Sequence, residues 1–535
     1  MILKIVFLFF LAADALDIHP RTKTKGPAQL ADRENIDYWM EKGMEELNKA
    51  KETKPNENLA KNIILFVGDG MSLPTVSAAR IFKGQFFSES GTMEATPKYS
   101  FILGQTYSVS SMVPDSASTA SAMFSGIKTV SWTMGFDSHI VDGDPSSVAN
   151  ATAVKTILDW AQEAGMATGF ITNTRATHAT PGALYAKSAD RDWECDSEMP
   201  SDAKDLKDIA RQMMENNPGK DTDIILGGGL APFVNYDLID EEQKTRFDYA
   251  LEYWNCHRDD NRNLLDEWQA EHTNGAIIFN KTQLLSDTLL EADKVRGFFA
   301  WTYMPYEDQL NASSSAPNLE EMTRAAVQFL ESKGGDKGYF LMVEGGKIDH
   351  AHHGSEASRA LRETIGLDRA VASAVDLVNT EETLIMVTAD HSHTLAIGGY
   401  NDRFADITRE VQQPGHSASH ASDGDRYTIM TYGNGAGFKE NRAEVDEDYE
   451  LYIQRGPVPE ESLDYEYKFP SSAPLSSETH GGDDVGIWAI GPMSHYFHSV
   501  HEQSYIAHVM SYAACVGPHS NQERCTAGRD GWSSK

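Results

Sequence analysis

The chain has 535 residues, with 80 Asp and Glu against 46 Lys and Arg and a net charge of −34. That length is too great for one small core and calls for two or three domains, or one large α/β domain with insertions. So acidic a balance weighs against nucleic acid or an anionic membrane surface as a partner, and an anionic substrate would need strong local positive charge.

In chain order, the first residues place a lysine before an apolar run, Ile5 to Ala13, and then the small-x-small pattern Ala13-Asp14-Ala15. This predicts a cleaved secretory leader over 1–15, since the run is far short of the roughly 20 residues that span a bilayer. In "IDYWMEKGMEELNKAK", Ile36, Trp39, Met40 and Met44 recur at helical spacing and predict an amphipathic helix. The runs "NIILFVGDG", "YFLMVEGG" and "TLIMVTADH" are short and apolar, and meet Asp69, Glu344 and the pair Asp390-His391. They read as buried strands. With "ATGFITNT" and "DIILGGG" they alternate with helix-like segments such as "VKTILDWAQEAG" and "NLEEMTRAAVQFLES". That alternation predicts an α/β fold with a large, mostly parallel central sheet flanked by helices. The stretch "GGYNDRFADITREVQQPGHSASHASDGD" is turn-rich and marks an exposed insertion. The end of the chain, "CTAGRDGWSSK", has no hydrophobic tail of the kind a lipid anchor requires, so the mature protein is expected to be free of the membrane.

Asn150, Asn280 and Asn311 each begin an Asn-x-Ser/Thr triplet, the acceptor pattern of a secreted glycoprotein. Four cysteines allow two bridges in three connectivities. Proximity favours Cys515 with Cys525, which leaves Cys195 with Cys256.

In open α/β sheets ligands gather beyond the carboxyl ends of the strands, so Asp69, Glu344, Asp390 and His391 are expected to converge. The alternative is that each carboxylate merely caps a helix. In "GGKIDHAHHG", Asp349 and His353 are four apart and would share a helical face fit to hold one ion, whereas His350 and His352 would point elsewhere, to solvent or to outer contacts. His480 lies in the glycine-rich "SSETHGGDDVG", as a ligand or as a turn residue. Imidazole with carboxylate suits Zn²⁺, and hydroxyl with carboxylate suits Mg²⁺. Ser116, in "MVPDSASTASAMFSG", starts a run of small residues as a helix cap or as a nucleophile. With no Gly-x-Ser-x-Gly elbow around it, activation would have to come from a metal. "TRATHATPGALYAKSADRDW" adds Thr180 as an oxygen ligand and Arg191 as a phosphate fork.

The motifs "VGDGM", "VPDSAST", "THATP", "EGGKIDHAHHG", "VTADHSH" and "ETHGGDDVG" occur in one order from about Asn62 to the last cysteines, and on them the chain resembles the animal alkaline phosphatases, most closely the insect soluble forms. The resemblance implies a catalytic domain over 61–398 and 478–525, a crown insertion over 399–477, an N-terminal arm over 16–60 and a tail over 526–535. It implies one zinc on Asp349, His353 and His480, a second on Asp69, Asp390, His391 and the Ser116 oxygen, and magnesium on Asp69, Thr180 and Glu344. Arg191 would grip phosphate, Asp115 would orient Arg191, and His178 would stand near the magnesium. Ser116 would attack phosphorus to give a phosphoserine, later hydrolysed by zinc-activated water. Two zincs, a magnesium and Arg191 would supply the positive charge that an anionic substrate needs. The resemblance further implies a homodimer reached through the N-terminal helix.

There are departures from the family pattern. Ser118 stands where glycine is usual, and Met304 and Ala316 stand where mammalian relatives carry acidic calcium ligands. A sulfatase would need a motif such as Cys-x-Pro-x-Arg, which is absent, and a phosphodiesterase would lack the Asp69, Thr180, Glu344 set. A binding protein that had lost catalysis would be expected to lack Ser116, Arg191 or a ligand, and all are present.

Overall fold

The structure, a computed structural model, describes residues 34–86, 100–203, 205–235, 256–401, 404–411, 426–438 and 464–525. The expected leader, the first part of the arm, much of the expected insertion and the tail lie outside the described residues.

Among the described residues fifteen strands follow in order: β1 (Asn62–Gly68), β2 (Ser100–Gln105), β3 (Ala167–Arg175), β4 (Ile224–Gly228), β5 (Ala276–Ile278), β6 (Val295–Phe298), β7 (Tyr339–Gly345) and β8 (Thr383–Ala389). Then come β9 (Ser392–His393), β10 (Leu395–Ile397), β11 (Met430–Gly435), β12 (Ser471–Pro474), β13 (His480–Gly481), β14 (Val485–Ile490) and β15 (Val500–Glu502). Ten of them form one sheet in the order β15-β2-β14-β8-β1-β7-β3-β4-β6-β5. Only β14 runs against its neighbours in that sheet. β1 shows why both faces must be covered. Ile63, Leu65 and Val67 enter one apolar cluster and Ile64 and Phe66 the other, because successive side chains of a strand point to opposite faces. Helices Ser116–Ser125, Ile157–Glu163, Ala179–Tyr185 and Tyr505–Ala514 pack on the first face. Leu319–Gly334 and Ala357–Leu377 pack on the second.

Register aligns the strand ends. Val67 pairs with Glu344 of β7, and Gly68 with Ala389 of β8, so Asp69, Glu344 and Asp390 arrive side by side at the carboxyl edge. A smaller sheet, β10-β11-β12, packs Leu395, Met430 and Tyr432, with Phe469, on Phe82, Leu361 and Ile365. Both cysteine pairs are bridged, Cys195 to Cys256 and Cys515 to Cys525. The amphipathic helix forms over Ile36–Glu52 and buries nothing: Ile36 is 81% exposed and Trp39 54%. Its apolar stripe packs on none of the described residues of its own subunit.

Candidate active site

The end of β1 must turn sharply. Gly70 makes that turn at φ +68, and a Cβ there would lie 2.3 Å from the His393 ring, so only glycine fits. The turn leaves Asp69 fully buried. Its carboxyl is pushed well above the usual range, first by burial and then by Asp390, Asp349 and Glu344. Asp390 Oδ1 accepts the N–H groups of Gly70 (2.9 Å) and His391 (2.8 Å), which ties the end of β8 to the end of β1.

Ser116 opens the helix Ser116–Ser125, and the cap is Asp115, not Ser116: the Asp115 carboxylate accepts from Ala117 N (3.1 Å) and Ser118 N (3.3 Å). Capping by its neighbour leaves the Ser116 hydroxyl free for other contacts. Its Oγ lies 3.4 Å from Asp69 Oδ1 and 3.2 Å from His391 Nε2. Asp115 also receives Arg191 Nη1 at 3.2 Å, while Arg191 Nη2 meets His178 Nε2 at 3.3 Å. Ser118 adds a hydrogen bond of 2.7 Å to Asp115 Oδ1, so the serine found in place of glycine reinforces the capping carboxylate.

The segment after β7 forms a helix, Lys347–His353, and Asp349 and His353 do share a face, with His353 Nε2 3.3 Å from Asp349 Oδ1. His480 Nε2 also approaches Asp349 Oδ1 at 3.3 Å. His480 lies in β13, paired with His393 of β9, rather than in a turn. Burial opposes charge on Asp349, yet the three surrounding imidazoles His353, His393 and His480 hold its carboxyl well below the ordinary carboxylate range. His352 is fully buried instead of meeting solvent. Its ring nitrogens bond Thr75 Oγ1 (3.0 Å) and Tyr432 OH (2.8 Å), outside the cluster. The His350 ring turns to Tyr303, 4.2 Å between centroids.

Among the described residues three groups are close enough to hold metal ions: Asp349, His353, His393 and His480; Asp69, His178 and Glu344; and Asp69, Asp349 and His391. Two observations support a fit. His480 Nδ1 bonds Pro114 O (2.8 Å), His391 Nδ1 bonds Ser392 O (3.2 Å) and His353 Nδ1 bonds Glu478 O, so each ring turns Nε2 inward as an ion would require. In addition, Thr180 Oγ1, Glu344 Oε1 and His178 Nδ1 are buried without a hydrogen bond among the described residues. Buried polar atoms in that state are costly unless a cation meets them. Burial pushes the Glu344 carboxyl up to about 7, against the neighbouring hydroxyls of Thr172, Thr180 and Thr174, which favour its charged form.

Sequence reasoning passes over His393. Its Nε2 is 2.7 Å from Asp349 Oδ1 and its Nδ1 2.5 Å from Glu478 Oε2. Spacing of two from His391, the period of a strand, is the signal that points to it. Met304, from the segment that departs from the calcium-binding relatives, is buried in the apolar cluster of the second sheet face.

The sequence model of the family described as alkaline phosphatase matches residues 60–516. An alkaline phosphatase of Gadus morhua is 39% identical over 90% of this chain and 97% of its own length. The human tissue-nonspecific isozyme is 40% identical over 90% and 88%, and alkaline phosphatase 4 of Drosophila melanogaster 38% over 95% and 86%. Among solved structures, the Thermus thermophilus alkaline phosphatase covers 86% of this chain and 93% of its own at 20% identity with a TM-score of 0.58. The enzyme of the Antarctic bacterium TAB5 covers 86% and 99% at 22% identity and 0.55, and both likenesses are of fold. A family match across most of the length, with curated relatives near 40% identity over nine-tenths of it, means that the chain belongs to the alkaline phosphatase family, metal-dependent hydrolases of phosphate monoesters.

Proposed function

We propose that the chain is a secreted phosphomonoesterase that works through a phosphoserine on Ser116. One observation carries this reading: Ser116 opens a helix whose capping carboxylate, Asp115, also holds Arg191, and its hydroxyl lies within 3.5 Å of both Asp69 and His391. The helix start favours a dianion through its free N–H groups and dipole. Arg191, fixed by Asp115 on one side and His178 on the other, offers its remaining donors to the phosphate oxygens. Ser116 Oγ attacks phosphorus in line, the Oγ–P bond forms, and the bond to the leaving oxygen breaks. The Ser116 hydroxyl proton passes, in net, to the departing alcoholate, and water then cleaves the Oγ–P bond, returning a proton to Oγ and releasing inorganic phosphate.

Asp349, His353 and His480 would hold one zinc, Asp69, Asp390, His391 and Ser116 a second, and Asp69, Thr180 and Glu344 a magnesium. When bound, such ions supply Lewis acidity that lowers the pKa of a coordinated hydroxyl and offsets developing negative charge. His393 Nε2 meets the same Asp349 Oδ1 that His353 and His480 approach. The exposed stripe of Ile36–Glu52 supports a homodimer in which this helix meets the partner subunit. No helix among the described residues is long and apolar enough to cross a membrane, and Asn150 and Asn311 are exposed, which supports secretion with glycans at those sites; Asn280 caps the helix Lys281–Leu284. The test is Ser116→Ala: turnover of a monoester falls on the order of 10³-fold or more while fold and metal content persist. Acid quenching of the wild type leaves phosphate on Ser116. Phosphate trapped on any other residue overturns the assignment.

A further inference from the structure

Trp132 is held in a conformation that a large side chain avoids. Its φ is +69, in the left-handed region where any residue but glycine, and a bulky one above all, is strained. The backbone is pinned there from two sides. Trp132 N donates to Asp115 Oδ1 (2.9 Å), and Trp132 O accepts from Arg191 N (2.8 Å), so the residue bridges the arginine that would grip phosphate and the carboxylate that orients it. Glycine would meet both hydrogen bonds without strain, so they do not require an indole. The indole is 49% exposed and lies 5.6 Å from the Arg191 guanidinium.

The stretch that leads into Ser116 is apolar as well. Met112 is 88% exposed and Val113 44%, on the stretch that leads through Pro114 into Asp115 and Ser116. That stretch borders the zinc-ligand side, since His480 bonds Pro114 O and Gly482 packs under Val113. That stretch and the loop that carries Trp132 are stitched together: Ser131 N donates to Ser110 Oγ (3.0 Å), Val109 N to Thr129 O (3.0 Å), and the Ser108 and Ser131 hydroxyls meet at 2.7 Å. A charged floor of Asp69, Arg191 and the imidazoles thus carries a rim of exposed apolar side chains that nothing in the subunit covers among the described residues.

We infer that Trp132, with Met112 and Val113 on the adjoining stretch, is a specificity-determining residue that selects monoesters whose leaving group is flat and aromatic, such as an aryl ring or a nucleobase. The inference rests on the reading of Ser116 as nucleophile and Arg191 as phosphate clamp. In-line attack sends the leaving oxygen away from Ser116 and carries its substituent to the mouth of the site, where an indole offers a face for stacking.

The test compares phenyl phosphate with glycerol phosphate on the metal-loaded enzyme, and phenylphosphonate with methylphosphonate as equilibrium ligands. In Trp132→Ala the ratio of kcat/KM for the aryl over the alkyl ester falls about tenfold, and the preference for phenylphosphonate over methylphosphonate falls by a similar factor. Trp132→Phe keeps both ratios within about twofold, because a ring remains. Trp132→Gly, unstrained at this φ, replaces the alanine variant if that fails to fold. Equal loss on both substrates, unmoved ratios, or a fall in Trp132→Phe as large as in Trp132→Ala overturns the inference. A wild type that turns over neither ester refutes the proposed function instead, and the phosphonate preference still decides the role of Trp132.

Discussion

The three histidines of the helix Lys347–His353 have different partners, so their removal should have different consequences. His353 turns Nε2 toward Asp349 and His480, and its replacement by alanine should cost one metal per chain with little loss of stability. His352 is bonded to Thr75 and Tyr432 in the interior, and alanine there leaves two hydroxyls and a cavity, a loss of about 2–4 kcal/mol with the metal retained. His350, against Tyr303, should affect metal content least. Metal analysis beside thermal unfolding of the three variants checks this order, and equal metal loss in all three would contradict it. A second residue-level outcome concerns Glu363, buried beside Glu307 and bonded to Asn173. Burial, followed by Glu307, pushes its carboxyl up from 4.5 to about 8. The folded chain therefore holds a proton that the unfolded chain has lost between those values, so Glu363 contributes a loss of stability as pH rises through that window. Glu363→Gln should flatten this part of the pH dependence, as read by denaturant unfolding from acid to mildly alkaline pH; an unchanged slope would refute it. The pairing of Asp349 with His353 was legible because it depends only on helical spacing. His393, Glu478 and Trp132 were not, because their roles arise from cross-strand pairing and a left-handed backbone that no local pattern announces.

Elements show the same division. β1, β7 and β8 could be read from apolar runs ending in glycine and carboxylate, since a strand buried on both faces has no other composition available to it. The start of the helix Lys347–His353 could not. Its N-cap, Gly346, supplies no side chain, and the cap comes from another strand: Asn173 Oδ1, near the end of β3, accepts from Gly346 N (2.8 Å) and Lys347 N (3.2 Å). Asn173 thereby sets the position of Asp349 and His353 without touching either. Asn173→Ala should cost about 1–2 kcal/mol of stability, the usual loss of a cap, and should weaken metal binding at Asp349 and His353 by about tenfold. Calorimetric zinc titration and thermal unfolding check both, and a stability loss with zinc affinity unchanged would show that the helix start does not position the ligands.

At the scale of the molecule, two kinds of donor set predict two kinds of reactivation. Chelation should abolish activity. Zinc should restore part by filling the histidine-containing sites, and magnesium the remainder through Thr180 and Glu344; full recovery with magnesium alone would contradict these donor sets. Removing residues 34–53 should convert a dimer into a monomer of intact fold, read by light scattering, if the stripe of Ile36, Trp39, Met40 and Met44 meets the partner subunit. The sheet order carries a further consequence, for biosynthesis. Asp69 is made early and its neighbour Asp390 more than three hundred residues later, while His480 follows only after the β10-β11-β12 segment and directly precedes β14, which inserts between β8 and β2. Contacts so distant along the chain form slowly, and the donor set of Asp349, His353 and His480 stays incomplete on a ribosome-bound chain that still lacks residue 480. An ion on that set would act as a late seal: it would reward only a chain finished through β13, and a chain truncated before β13 would give up its stabilisation.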